Sequence, residues 1–307
     1  MGRGTDGAAR TDNGMTMHIF LFGAGYSARA FARLARDEAD TIAGTTRSET
    51  KFGLLRAAGI KPLAFDGAAV SPQIADELAR ATHIVVSAAP SDAGDPVIAA
   101  ARDLLVNATP ALRWIGYLST VGVYGNHDGA WIDETTGCRP RPGRSDHRLE
   151  AETEWRYLAA ERGVPLAILR LSGIYGPGRN AFVNLDNGTA RRIVKPGQIF
   201  NRIHVDDIAG SLLHLARIEA DGVFNVTDDE PAPPQDVVAF AAGLMGMVPP
   251  PEIDFDTADL TPMARSFYGE NKRVSNAKLK ATGYRFVHPN YRAALTSMWE
   301  KGEWRMD

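Results

Sequence analysis

The run His18-Ile19-Phe20-Leu21-Phe22-Gly23-Ala24-Gly25-Tyr26-Ser27-Ala28 ends an apolar stretch in two closely spaced glycines and continues into Arg29-Ala30-Phe31-Ala32-Arg33-Leu34. Such a pattern can hold a polyanion against backbone N–H groups. Gly23 permits a tight strand-to-helix turn, Gly25 presents no Cβ to a phosphate, and small Ala28 lets the helix pack close to the strand. The first N–H groups of that helix, at Tyr26 and Ser27, then face the anion. Gly-x-Gly-x-x-Ala between an apolar strand and an amphipathic helix is a turn that seats the pyrophosphate of a dinucleotide. A second apolar run ends in Thr45-Thr46-Arg47-Ser48, where an acidic residue would bond a ribose 2′-hydroxyl. Arg47 instead offers a fork for a 2′-phosphate, and the hydroxyls of Thr46 and Ser48 could add to it. The expected cofactor is therefore NADP(H) in preference to NAD(H), the alternative being that Arg47 is a solvated loop cation. Asp66 is placed either to reach the adenine amine or to close a turn. Ser87, Ala88 and Ala89 leave room where the diphosphate and the nicotinamide ribose would pass.

These residues work together only if strand ends gather them. From Met17 to about Leu171, β-like runs alternate with helical ones. Strands are expected near 17-22, 41-45, 61-65, 82-88, 112-119 and 165-171, and helices near 26-37, 49-58, 72-80, 95-107 and 147-162. Right-handed crossovers then wind an α/β, doubly wound parallel sheet of Rossmann-like type, with its ligand outside the carboxyl ends of the strands. After Gly176-Pro177-Gly178 the alternation weakens into a polar stretch of the kind that builds a substrate lobe. Residues 17-178 are read as the NAD(P)-binding domain, with 203-228 returning to it through a helix at Asp206-Asp207 and a strand at 223-226. Residues 179-202 and 229-307 are read as a smaller C-terminal substrate lobe, with helices from about Asp236 and near 290-301. Residues 1-16 read as a disordered tail or an overlong start, with Met15 or Met17 as the expected true beginning.

Composition narrows the class. A chain of 307 residues that is 44% hydrophobic and 23% charged can bury one large α/β core. A formal net charge of -3 without a cationic run argues against nucleic acid as a partner. The single cysteine, Cys138, excludes an internal disulfide and a Cys-rich metal site and fits a cytoplasmic location. No apolar stretch reaches the roughly 20 residues of a membrane helix, and no His/Asp/Glu spacing suggests a metal.

The fifth strand runs Trp114-Ile115-Gly116-Tyr117-Leu118-Ser119-Thr120-Val121-Gly122-Val123-Tyr124-Gly125, followed by Asp133-Glu134. With Leu169-Arg170-Leu171-Ser172-Gly173-Ile174-Tyr175-Gly176-Pro177-Gly178, Arg202-Ile203-His204-Val205-Asp206-Asp207 and Phe224-Asn225-Val226, it resembles the extended short-chain dehydrogenase/reductases, the NAD-dependent epimerase/dehydratase family. The resemblance covers the chain from Met17 onward in the family's order. It implies that Thr120, assisted by Ser119, hydrogen-bonds the reacting oxygen, while a Tyr and a Lys four residues later supply acid/base chemistry and hold the nicotinamide ribose. By spacing, Arg144 stands at the Tyr position and Arg148 at the Lys position. Arginine remains protonated and cannot act as a tyrosinate does, although Arg148 could still hold a ribose or phosphate. His147 is the nearby group with a suitable intrinsic pKa, or else a solvated surface residue. His204 reads as a structural histidine. Tyr124, Arg179, Asn180, Asn201 and Arg202 come from segments that line the family's pocket, and with Phe182 and Asn184 they would suit a sugar or phosphorylated group.

Two readings follow. One is an NAD(P)-dependent oxidoreductase or epimerase/dehydratase-like enzyme acting on a small-molecule carbonyl or alcohol, with a nucleotide sugar as one candidate substrate. The other is a binding protein that kept the nucleotide site, lost the acid/base pair and reports the NADP(H) redox state. Family habit also implies a homodimer.

Overall fold

A computed structural model describes residues 17–306, so the expected tail at 1-16 lies outside the described residues. The chain opens with β1 (Met17–Phe22), α1 (Tyr26–Ala35), β2 (Ala39–Thr46), α2 (Phe52–Ala57), β3 (Lys61–Ala64) and α3 (Pro72–Arg80). It continues through β4 (His83–Val86), α4 (Pro96–Asn107), β5 (Trp114–Thr120), a 3-10 turn at Val121–Tyr124, β6 (Trp131–Ile132), α5 (Arg144–Arg162), β7 (Leu166–Leu171) and β8 (Gly173–Tyr175). Then come α6 (Ala181–Asp186), β9 (Arg192–Val194), β10 (Arg202–His204), α7 (Val205–Arg217) and β11 (Gly222–Val226). The chain ends with α8 (Pro234–Leu244), β12 (Glu252–Asp254), α9 (Pro262–Phe267), β13 (Arg273–Val274), α10 (Ala277–Ala281) and α11 (Tyr291–Lys301).

Seven strands form one parallel sheet in the order β11-β7-β5-β4-β1-β2-β3. The order reverses between β1 and β4, which opens the crevice that doubly wound sheets use for ligands. Register brings the carboxyl ends level, with Phe22 opposite Val86, Val86 opposite Tyr117, and Thr120 opposite Leu171. The inner strands are largely apolar because both sheet faces are covered. Every residue of β4 and β7 is buried. On one face Leu21, Val85 and Leu169 pack with Phe31 of α1 and Leu212 of α7. On the other, Phe22, Ile84 and Tyr117 meet Ile74 of α3, Val97 of α4 and Trp155 of α5. Asp95 caps α4 by accepting from the Val97 and Ile98 N–H groups, and its second oxygen accepts from Trp155 Nε1 at 3.0 Å, locking α4 to α5. A separate cluster of Phe182, Leu185, Tyr291, Leu295 and Trp304 joins α6, α8 and α11.

The segment expected as one helix at 49-58 divides into a 3-10 turn, Glu49–Lys51, and α2. Helix α5 begins three residues earlier than expected, at Arg144, because Gly143 turns the chain at φ +103. The pairs β6–β13, β8–β10 and β9–β12 are two or three residues long, too short to show a period in the sequence. Among the described residues no helix is long and apolar enough to cross a membrane.

Candidate active site

A cleft of about 630 Å³ lies at the strand-order reversal. Gly23 adopts φ +85, and a Cβ there would come within 2.8 Å of the Ala88 nitrogen, so only glycine lets the β1 turn lie against the end of β4. The turn is pinned by the Gly23 N–H donating to Thr45 Oγ1 (2.9 Å), the Ala24 N–H donating to Thr45 O, and the Ser87 and Ala88 N–H groups donating to Phe22 O. Gly25 precedes α1 without a side-chain cap, which leaves the first N–H groups of that helix open to an anion. Ser27 and Ala28 have buried side chains and can contribute through the backbone.

Arg47, Thr46, Asp66, Ser87, Ala88 and Ala89 face this cleft. Asp66 also closes a turn through the Ala68 N–H (2.9 Å). Ser48 follows Arg47 with its hydroxyl paired to Thr50 at 2.7 Å. Three further cations that sequence reasoning did not assign to the cofactor, Arg29, Lys51 and Arg179, complete a basic rim. Arg29 has its pKa lowered by burial and by the charges of Arg33 and Arg179, a crowding that a bound polyanion would relieve. Arg179, expected near the substrate, lies on the wall of this cleft. Its guanidinium lies 4.8 Å from the Tyr26 ring centroid, and the Tyr26 hydroxyl donates to Pro177 O at 2.9 Å. Burial pushes that phenol up to about 12. Arg148 reaches the strand ends and donates through Nη1 to Leu118 O (2.8 Å), Tyr117 Oη (3.2 Å) and Ala88 O (3.4 Å).

A second cavity of about 410 Å³ lies at Thr120, beside the 172–175 and 199–202 segments. Thr120 Oγ1 accepts from the Gly122 N–H at 3.1 Å and so caps the 3-10 turn, which leaves its own O–H free to donate to a substrate oxygen. Ser119 is not on this wall. Its hydroxyl donates to Glu152 Oε1 at 2.5 Å, and the fully buried Glu152 holds Arg170 by two bonds of 3.0 and 2.7 Å. Tyr124 likewise is buried behind the cavity, its hydroxyl on Asn225 Oδ1 and its ring under Arg170. His147 is outside the cavity, with Nδ1 3.6 Å from exposed Asp92. Asn180 is buried, caps α6 through the Val183 N–H and donates to Gly176 O and Trp304 O. Phe182 is in the core. Asn201 and Arg202 do line the cavity; Asn201 pairs with Lys272 O and the Val274 N–H, and Arg202 donates through Nη1 to Phe200 O and Ala232 O.

The cavity wall also holds Glu270 and Lys272, which no sequence pattern singled out. Lys272 Nζ donates to Glu270 Oε2 at 2.6 Å and to Gly125 O at 2.7 Å, and burial holds its pKa below the usual lysine range. Nearby, His204 accepts the Asp206 N–H on Nδ1 and caps α7, as a structural histidine would. Its ligand atoms, with those of Asp206 and His288, lie within 4.8 Å of one another, a grouping invisible to sequence spacing.

No sequence-family profile matches the chain. The 3-diazoavenalumate denitrifying reductase of a Streptomyces species is 29% identical over 174 residues, covering 51% of this chain and 54% of that protein, so the match spans about half of its length. A solved conserved protein of unknown function from Silicibacter pomeroyi is 47% identical, with a TM-score of 0.84 over 93% of this chain and 99% of that one. A structure from Methylobacillus flagellatus assigned to the NAD-dependent epimerases/dehydratases is 26% identical, with a TM-score of 0.63 over 92% of this chain and 98% of that one. The solved structural neighbours of this chain include NAD-dependent epimerase/dehydratase family proteins. A human epimerase family protein solved with NADPH shares the fold at 18% identity and a TM-score of 0.69, over 92% of this chain and 99% of that one. Like those neighbours in fold, the chain has a parallel sheet, with its glycine turn at the strand-order reversal and Thr120 at the end of β5.

Proposed function

We propose that the protein is an NADP(H)-dependent oxidoreductase acting on the carbonyl or alcohol group of a small molecule. The observation that carries this reading is the nucleotide cleft: the uncapped end of α1 faces a wall bearing Arg29, Arg47, Lys51 and Arg179, with Asp66 its sole carboxylate among the described residues. A pyrophosphate fits the Gly23–Gly25 turn, where a Cβ at Gly23 would collide with Ala88, and Arg47 suits a 2′-phosphate. When bound, the nicotinamide supplies or accepts a hydride. Thr120 then polarises the substrate oxygen through its free O–H, and Arg148 fixes the backbone of the two strand ends beside it. The Streptomyces relative is by name a reductase, which agrees in reaction class. Because Asn180 and Arg179 are engaged elsewhere and Asn201 is held by backbone, we favour a compact substrate over a nucleotide sugar.

Calorimetric titration with NADPH and NADH tests the cofactor. NADPH should bind more tightly, and Arg47→Ala should weaken NADPH by about tenfold or more while leaving NADH unchanged. Equal behaviour of the two proteins would remove Arg47 from the site, and no binding of either nucleotide would remove the function. Arg144 and Arg148 at the expected Tyr and Lys positions favour a second reading, a redox-reporting binding protein. Hydride exchange onto any carbonyl compound would eliminate a pure reporter.

A further inference from the structure

With Arg144 directed at Met263 Sδ (3.9 Å) and Arg148 engaged by strand-end oxygens, neither supplies a proton to the Thr120 cavity. Five side chains on its wall are candidates to give up a proton, Thr120, Ser172, Tyr175, Arg202 and Lys272, but the Ser172 hydroxyl donates to Val226 O and a guanidinium stays protonated. A threonine hydroxyl is too weak an acid to give one up on its own. Tyr175 is made a weaker acid by burial and by the carboxylate of Asp228. Lys272 differs. Its ammonium is 6% exposed and sits in a wall that is otherwise largely apolar, with Leu171, Ile174, Phe200 and Phe267. An ammonium has three N–H groups. Two are held by Glu270 and Gly125, and the third has no acceptor among the described residues. Gly125 closes the turn that Thr120 opens, so the hydroxyl and the ammonium are fixed at the two ends of one short element.

We propose that Lys272 is the proton donor of this site, its third N–H serving the oxygen of a compact, largely apolar carbonyl substrate. This rests on the reading of the cavity as a site of hydride transfer. When bound, a reduced nicotinamide gives a hydride to the carbonyl carbon and is itself oxidised. The carbonyl π pair moves to oxygen, one Nζ–H bond breaks and an O–H bond forms. Lys272 is left as a neutral amine and recovers its proton from water. Burial favours that transfer by destabilising the ammonium, and Glu270 keeps the ammonium charged until substrate arrives.

The test uses 4-nitrophenol, a planar probe whose oxyanion absorbs at longer wavelength than its neutral form, added to the full chain saturated with NADP. The wild type is expected to bind the probe as phenolate. Lys272→Met should bind it about tenfold or more weakly, and as the neutral phenol, whereas Lys272→Arg should keep the phenolate spectrum. Phenolate bound equally well by Lys272→Met would overturn the proposal, as would a wild type that takes only the neutral phenol or binds no probe at millimolar concentration. If Lys272→Met fails to fold, the wild-type and Lys272→Arg spectra still decide. NADPH titration separates the two ideas: a wild type that does not bind NADPH overturns the hydride-transfer reading, while one that binds NADPH but leaves the probe neutral overturns Lys272 alone.

Discussion

At the scale of single residues, the site is defined by what each polar atom already holds. Ser119 and Thr120 are neighbours on β5 with similar hydroxyls, yet strand alternation sends one into the core and the other to the cavity. Ser119, Glu152 and Arg170 form a network in which each member is at most 5% exposed. Its value depends on completeness, because an unpaired buried guanidinium is costly. Glu152→Ala is expected to destabilise the protein by about 3–5 kcal/mol through stranded Arg170, read by urea denaturation. A change below about 1 kcal/mol would mean that Arg170 finds solvent or another partner.

At the scale of elements, two glycines of one turn serve different ends. Gly23 has φ +85 and no room for a Cβ, whereas Gly25 has φ -79 and meets no atom closer than 4.0 Å. Gly23→Ala should therefore cost about 1–3 kcal/mol of stability. Gly25→Ala should stay within about 0.5 kcal/mol of wild type and lose NADPH affinity. A Gly25→Ala protein with undiminished NADPH binding would place the pyrophosphate elsewhere. Elements long enough to show a period, such as α3, β5, β7 and α7, stand close to where the sequence put them. Helix α5 was harder: its start depends on Gly143 at φ +103, so Arg144 falls in its first turn. The short pairs β8–β10 and β6–β13 had no local signal, although they bring Asn201 and Lys272 to the cavity.

Across the whole molecule, buried titratable groups tie stability to pH. Burial, aided by the Arg113 charge, lowers His83 from 6.5 to about 4. Burial, with the His288 charge, does the same to His204. The unfolded chain binds these protons first, so the stability they provide is full above about 6.5 and is lost as pH falls toward about 4. Asp228 has the opposite sign. Burial raises its carboxyl from 3.8 to about 8, so its contribution is present at low pH and is lost as pH rises through about 8. His83→Gln should flatten the acid side of a stability-versus-pH curve measured by urea unfolding. Asp228→Asn should raise stability above pH of about 8 and change little near pH of about 4. Curves for both variants parallel to wild type would contradict these assignments.

The sequence by itself determined the parallel sheet, the glycine turn and the placing of Arg47, Asp66 and Thr120 at strand ends. Each follows from local rules, namely side-chain period, the freedom of glycine, and the level ends of parallel strands. Only the tertiary structure decided which polar groups are available. Arg29 and Arg179 join Arg47 from distant segments, Ser119, Tyr124 and Asn180 are held by buried partners, and Lys272 reaches the cavity across nearly 150 residues from Gly125. Long-range hydrogen bonds decide whether a side chain is free to do chemistry, and the spacing of residues along a chain does not encode them.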